Sequence, residues 1–239
     1  YAVIIEELAR VCASTSVIVS AHNSLGVRPI ELYGTAEQKK RYLPKLASGE
    51  HIGCFSLSEP GTGSDAARQT CSSRVDGDGY LINGVKNWVT NGPVADVALV
   101  FTMEKPELGH KGINLFIIEL KTTPGVTVGK REDKLGICGS PTSSISFDNV
   151  RLPKSQLLGK PGEGFKIAMT TLDSGRCGIA AQATGIGRAA LEESIAYAQD
   201  RKTFGKPIGE HQSIQIHLAD MSTRLSAARL LTLCACRRK

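Results

Sequence analysis

The sequence predicts an α+β fold in which a β domain lies between two helical segments. Three observations predict it. Apolar residues recur at helical spacing up to about residue 51. Short β-rich runs separated by turn dipeptides then fill the chain to about residue 158. The helical period returns after Pro161-Gly162 and continues to the end.

Taken in order, residues 1 to 25 carry Ile4, Leu8, Val11, Cys12 and Val19 at near-helical spacing, and Gly26 is the expected stop. Thr35-Ala36-Glu37-Gln38 has the capping-box pattern and opens a short basic helix, which Pro44 disturbs and Ser48-Gly49 ends. The β runs are Ile52 to Leu57, Tyr80 to Ile82, Val85 to Thr90, Val97 to Phe101, Ile113 to Ile118 and Ser144 to Val150. Asp76-Gly77, Asn83-Gly84, Asn91-Gly92 and Pro124-Gly125 punctuate them as turns, so an antiparallel β domain, a small barrel, is expected. Phe165, Met169 and Leu172 begin a long helix that resumes through Ile186, Leu191 and Ile195; a last helix carries Ile214, Leu218, Met221 and Leu225. The expected domains are therefore 1–51, 52–158 and 159–239, with helices that pack on one another.

At 239 residues and 41% hydrophobic content, the chain can bury a real core in two or three cooperating domains. No apolar stretch approaches the roughly 18 residues of a membrane span, and the apolar start lacks a preceding basic region. The chain opens and ends in helical pattern, so both termini are expected to be cuts, and a missing transit peptide says nothing of compartment. The net charge of +6 would suit an anionic ligand, but the charges form no basic stripe for nucleic acid. Seven cysteines without a C-x-x-C pair read as reduced core thiols, with neither disulfide nor metal role.

Gly61-Thr62-Gly63-Ser64-Asp65-Ala66 fits G-x-G-x-x-A, the fingerprint of a nicotinamide-binding βαβ unit. The context argues against that reading. A true fingerprint opens a helix, whereas Arg68 to Val75 lacks helical spacing and runs into the Asp76-Gly77 turn. Gly61 and Gly63 instead remove side chains so that backbone N–H groups and the Ser64 hydroxyl can approach a phosphate.

The wider segment Cys54-Phe55-Ser56-Leu57-Ser58-Glu59-Pro60-Gly61-Thr62-Gly63-Ser64-Asp65 resembles the flavin-contacting strand and loop of acyl-CoA dehydrogenases. The resemblance extends in the same order to Lys86-Asn87-Trp88-Val89-Thr90-Asn91-Gly92, Leu172-Asp173-Ser174-Gly175-Arg176, and Asp200-Arg201-Lys202-Thr203-Phe204-Gly205-Lys206-Pro207 with His211-Gln212 beyond. It covers nearly the whole chain and implies an acyl-CoA dehydrogenase-like α+β fold, FAD as cofactor and acyl-CoA as substrate. A flavin ring needs a flat surface and hydrogen bonds to the edge that gains charge on reduction, which Trp88, Ser58 and Thr90 suit.

By the same resemblance, Phe55, Ser56, Leu57 and Ser58 pass their backbone beside the ring, Trp88, Val89 and Thr90 lie along it, and Gly63 and Ser64 meet its pyrophosphate. Arg201, with Thr203 and Phe204 nearby, reaches a partner subunit's flavin; His211 and Gln212 support it. Ser64, Asp173, Ser174, Gly175 and Arg176 line the acyl-CoA cavity; Asp173 and Arg176, three apart on a helix, can share a face.

The implied reaction takes a proton from the carbon beside the thioester and a hydride from the next, giving a trans-2-enoyl-CoA, with electrons passing to an electron-transferring flavoprotein. Relatives of isovaleryl and long-chain type place their catalytic glutamate immediately before the arginine, where this chain has Gly175. The base is therefore expected C-terminal to Lys239, in a Glu-Gly-Thr loop. The segment Cys54 to Glu59, Glu132-Asp133-Lys134-Leu135-Gly136 and the Gly175-Arg176 pair look most like the short-chain type. The short/branched-chain type stays open, as does an inactive truncated chain that only assembles with full-length subunits. A homotetramer built as a dimer of dimers is implied, in the mitochondrial matrix, or in the cytoplasm if the source is bacterial.

Overall fold

A computed structural model describes residues 1–238. They divide into two compact units, residues 18–175 and residues 1–17 with 176–238.

The larger unit is built on a curled seven-stranded sheet. Its strands are β1 Gly53–Ser56, β2 Ser72–Asp76, β3 Gly79–Thr90, β4 Val97–Met103, β5 Ile113–Glu119, β6 Val126–Val128 and β7 Thr142–Pro153. They run in the order β1-β4-β2-β3-β7-β6, with β5 also on β4. Pairing is antiparallel except on one edge of β4, which runs parallel to β1 and then, through Ser72 and Met103, to β2. One strand edge is thus shared by two successive segments, and the chain leaves it as the 57–71 loop before returning.

The central strands β4 and β5 are mostly apolar on both faces because both faces are covered. Ala98, Val100, Phe116 and Ile118 point into a core with Cys54, Ile82, Ile145 and Val150. Leu99, Phe101, Leu115 and Ile117 point the other way, onto Ile30, Tyr42, Leu46, Ile167 and Ala168. That second core is roofed by α3 (Arg28–Tyr33) and α4 (Ala36–Ser48), and by the start of a long helix, α5 (Gly164–Asp200). The capping box forms as expected, Gln38 N to Thr35 Oγ1 at 3.2 Å and Thr35 N to Gln38 Oε1 at 3.0 Å. Gly49 ends α4 in the left-handed conformation, and Pro44 is accommodated inside it.

Three expectations change. Gly26 does not stop the first helical segment: α1 (Ala2–Val11) and α2 (Ala13–Ser20) lead into a π-helical turn, Ala21–Val27, and on into α3. A Cβ at Gly26 would come within 3.0 Å of the Gly53 backbone, so the glycine serves close packing on β1. Asn83-Gly84 is not a turn but a bulge inside one continuous β3, Gly84 having φ 142° and no room beside Cys71. The cysteines are also not all core thiols. Cys54 and Cys71 are buried, which pushes their thiols up to about 12 and about 11, but Cys12, Cys138 and Cys234 are exposed.

In the smaller unit, α1 packs on the 176–200 stretch of α5 at Gly185, where a Cβ would lie 2.1 Å from Glu6 O. Buried Glu6 is met by Arg229 at 2.8 Å and by Arg188 at 3.7 Å. The last helix, α6 (Gln212–Arg237), sets Ile214, Leu218, Met221 and Leu225 half-buried along one stripe; none of its residues is fully buried. Among the described residues no helix is long and apolar enough to cross a membrane.

Candidate functional site

The 57–71 loop and the far end of β3 meet where β1 leaves the edge of β4. β3 pairs with β7 throughout, but its register shifts between Lys86 and Val89. In that bulge the Asn87 N–H turns to Ser58 O at 2.8 Å. Trp88 takes φ 56°, a left-handed value that costs a bulky residue on the order of 1–3 kcal/mol, and the residue remains 59% exposed. Val89 returns to the core, and Thr90 is half-buried beside Thr142. An exposed aromatic plane held at a strained φ is a costly arrangement for the fold alone.

Phe55 packs edge-on against Phe101 at 4.8 Å between ring centroids, and Ser56 is buried. Leu57 and Ser58 are half-buried at the lip of the loop. Beyond them Glu59 and Thr62 bond each other's backbone, N to O at 2.8 and 3.1 Å, closing a tight turn through Pro60 and Gly61. A Cβ at Gly61 or Gly63 would meet nothing within 4 Å, and Ser64 is exposed, so the turn presents open backbone. This can approach an anion without a bound cation.

Under the loop lies an ion pair with both side chains fully buried. Lys86 Nζ is 2.7 Å from Glu59 Oε1, 3.3 Å from Leu57 O and in contact with Gln69 Oε1. Glu59 also accepts from Thr70 N at 2.7 Å, from Thr70 Oγ1 and from Cys71 N at 3.0 Å. Gln69 Nε2 closes back on Ala66 O at 2.9 Å and Leu57 O at 3.2 Å. Burial draws the Lys86 ammonium down from its ordinary value, against Glu59. For Glu59, burial is outweighed by Lys86 and the Thr70 donors, which hold the carboxyl below its usual range. With four donors on the carboxylate and three acceptors round the ammonium, the geometry supports the charged state.

Asp173 is exposed, Ser174 half-buried and Gly175 buried on α5 in this unit, where a Cβ at Gly175 would reach Leu25 at 3.2 Å. In the smaller unit Arg176 is exposed on the same helix, and a two-residue hairpin joins β8 (Lys202–Thr203) to β9 (Lys206–Pro207). Both turn residues have positive φ, Phe204 at 52° and Gly205 at 77°, and the Phe204 ring is 96% exposed. Thr203 Oγ1 and His211 Nε2 are 3.0 Å apart, with the Phe204 and His211 rings edge to face. Arg201 and Gln212 are exposed at the two ends of this hairpin segment.

Residues 1–50, 54–150 and 162–239 match, in turn, the N-terminal, middle and C-terminal domains of acyl-CoA dehydrogenase. The chain belongs to the acyl-CoA dehydrogenase family. It is 50% identical over 232 residues to the mitochondrial short-chain specific acyl-CoA dehydrogenase of Bos taurus, a match covering 97% of this chain and 56% of that relative. The butyryl-CoA dehydrogenase of Megasphaera elsdenii superposes with a TM-score of 0.97 at 44% identity, over 100% of this chain and 62% of that one. A glutaryl-CoA dehydrogenase of Mycobacterium smegmatis, solved in complex with FADH2, superposes at 0.91 with 39% identity, over 97% of this chain and 58% of that one. The chain thus spans little more than half the length of these acyl-CoA dehydrogenases.

Within the larger unit the structure brings together two motifs that are about thirty residues apart in sequence, Phe55 to Ser64 and Trp88 to Thr90. Arg176, Arg201, Thr203, Phe204, His211 and Gln212 belong to the other unit. Sequence reasoning quoted Glu59 and Lys86 inside the acyl-CoA dehydrogenase motifs without giving either a task. Hydrophobic alternation on β3 gave no signal for Lys86, since it would turn Val85 inward, whereas Val85 is exposed and Lys86 is buried.

Proposed function

We propose that this chain carries the FAD- and acyl-CoA-binding surfaces of a short-chain acyl-CoA dehydrogenase, whose reaction yields a trans-2-enoyl-CoA and passes electrons to an electron-transferring flavoprotein. The observation that carries the reading is Trp88, exposed and strained on its bulge beside the Ser58 segment and the open Gly61 to Ser64 turn. That donor set fits a flat, partly anionic cofactor: one aromatic plane, the Ser58 and Thr90 hydroxyls for its polar edge, and glycine backbone for its phosphates. When bound, FAD supplies the hydride acceptor.

In this reading Phe55, Ser56, Leu57 and Ser58 wall the ring edge, Trp88 and Val89 support its face, and Thr90 donates to it. Gly63 and Ser64 hold the pyrophosphate, and Ser64, Asp173, Ser174 and Gly175 contact the acyl-CoA; Arg176, in the other unit, is also assigned to acyl-CoA binding. The strain and exposure of Phe204 support a partner-facing hairpin, in which Arg201, Thr203, Phe204, His211 and Gln212 serve the flavin of a second subunit in a homotetramer. Gly175 has no side chain to accept a proton, so the base of this reaction is expected outside residues 1–239. The compartment is the matrix for a mitochondrial source and the cytoplasm for a bacterial one.

The test is a titration of the folded chain with FAD, followed by flavin absorbance and quenching of flavin fluorescence. A yellow complex is expected, and Arg201→Ala should weaken it on the order of tenfold, the loss of one charge-assisted hydrogen bond. A folded chain that takes up no FAD would sink the reading. Turnover of butyryl-CoA against branched acyl-CoA by the complete reading frame then decides the substrate.

A further inference from the structure

We infer that the buried Lys86–Glu59 pair is a positioning clip that sets the 57–64 loop against the Trp88 platform, holding the two halves of the proposed flavin surface in one register. The inference rests on the flavin reading for what the surface binds, but on geometry alone for what the clip does.

The Lys86 ammonium lies at the centre of the loop, not at its rim. It bonds the loop's entry at Leu57 O, its turn at Glu59 and its exit at Gln69. Glu59 in turn ties Thr70 and Cys71, where the chain rejoins the sheet at β2. The Leu57, Glu59 and Gln69 contacts converge on a side chain two residues from Trp88, on the strand that carries it, and Glu59 passes that tie on to Thr70 and Cys71. Next to it the Asn87 N–H holds Ser58 O at 2.8 Å.

Two consequences follow for the loop's polar groups. A trans peptide points its N–H opposite its C=O, so drawing Leu57 O toward Lys86 turns the Ser58 N–H away from the clip. The Glu59–Thr62 bridge, pinned from below through the Glu59 carboxylate, keeps Gly61 and Gly63 outermost. A loop with few apolar contacts would otherwise sample many conformations, and fixing it before a ligand arrives lowers the ordering cost of binding.

A hydrophobic core would hold a loop more cheaply than a desolvated ion pair, because burying two charges recovers little net stability. What the pair supplies is direction, since Lys86 and Glu59 each accept or donate along several fixed lines. Neither residue touches the exposed surface, so both act through the backbone that does.

The test compares the chain with Lys86→Met and with the double variant Glu59→Gln/Lys86→Met. The single change leaves a buried carboxylate unpaired and is the one that can fail to fold; the double change keeps the volume and leaves no charge. Hydrogen exchange read by mass spectrometry, without FAD, should rise on the order of tenfold across 57–71 in the double variant, with 97–119 unchanged. In the same variant FAD affinity should fall on the order of tenfold and the visible circular dichroism of bound flavin should change, while far-ultraviolet dichroism does not.

A folded double variant whose 57–71 amides exchange within about twofold of the parent overturns the clip. Faster exchange with unchanged FAD affinity and flavin dichroism overturns it as well, because the loop would then be tied without being positioned for a ligand. If the parent takes up no FAD, the flavin reading fails, and the exchange comparison still decides whether the pair orders the loop.

Discussion

Trp88 contributes little to the core of its own unit. More than half of it is exposed, and its φ of 56° is one that glycine or asparagine would adopt with less strain. Truncating it therefore removes little buried area, and Trp88→Ala should move stability by less than about 1 kcal/mol in urea unfolding. FAD affinity should nonetheless drop on the order of tenfold, since an aromatic plane against a flat ligand contributes ~1–3 kcal/mol in comparable stacks. A large loss of stability with intact FAD binding would make Trp88 a packing residue instead.

At the scale of elements, the bulge at Gly84 and the carboxylate at Asp96 place the strands that frame the site. A Cβ at Gly84 would lie 2.6 Å from Cys71 Cα and 2.9 Å from its sulfur, at a φ of 142°. Gly84→Ala must therefore push β2 from β3 just where the 57–71 loop rejoins the sheet. An unfolding penalty of about 2–3 kcal/mol is expected, against about 1 kcal/mol for Thr35→Ala at the capping box of α4. Equal midpoints for the two variants would show that β2 gives way easily.

Asp96 ties the entry of β1 to that of β4, accepting from Ile52 N at 2.8 Å and from Lys121 at 2.6 Å. Burial alone would raise its carboxyl, but Lys121 and the Ile52 N–H hold it below the usual value. A carboxyl lowered on folding gives stability that is fully present above its unfolded value of about 3.9 and is lost as pH falls through the lower folded value. Asp96→Asn should thus cost about 1 kcal/mol near pH 7, and the difference from the parent should shrink below pH 4. A difference that stays constant from pH 7 to pH 3 would mean that the ion pair and amide contact contribute nothing as a charge.

Over the whole molecule, the distribution of apolar surface matters more than any single contact. The 18–175 unit buries two cores around one sheet, whereas α6 keeps Ile216, Leu230 and Leu231 at 61%, 68% and 70% exposure. Exposed aliphatic side chains on one helix favour association, each contributing ~1.5–3 kcal/mol if fully buried by a neighbour. The chain should therefore scatter light increasingly with concentration, and Leu230→Glu/Leu231→Glu should suppress that without changing the melting of the 18–175 unit. Scattering that is unaffected by the double change would assign the association to another surface.

What could be read from residues alone was whatever local chemistry or a contiguous motif decides. The Thr35 to Gln38 capping box, the apolar runs of β4 and β5, the Gly49 stop and the four-three-four stripe of α6 depend only on near neighbours in the chain. The motifs round Ser58, Trp88, Asp173 and Arg201 likewise sufficed to identify the family, because each is a short unbroken stretch. The tertiary structure decided the features whose partner is distant in sequence. Gly26 reads as a stop until Gly53 is found against it, and Asn83-Gly84 reads as a turn until Cys71 is. Lys86 and Glu59 carry no assigned role in the sequence, and only the return of the 57–71 loop to β4 closes them together in a buried interior. Charge, unlike hydrophobic period, carries no mark of burial in the chain; where a charge is buried depends on which segments the fold brings around it.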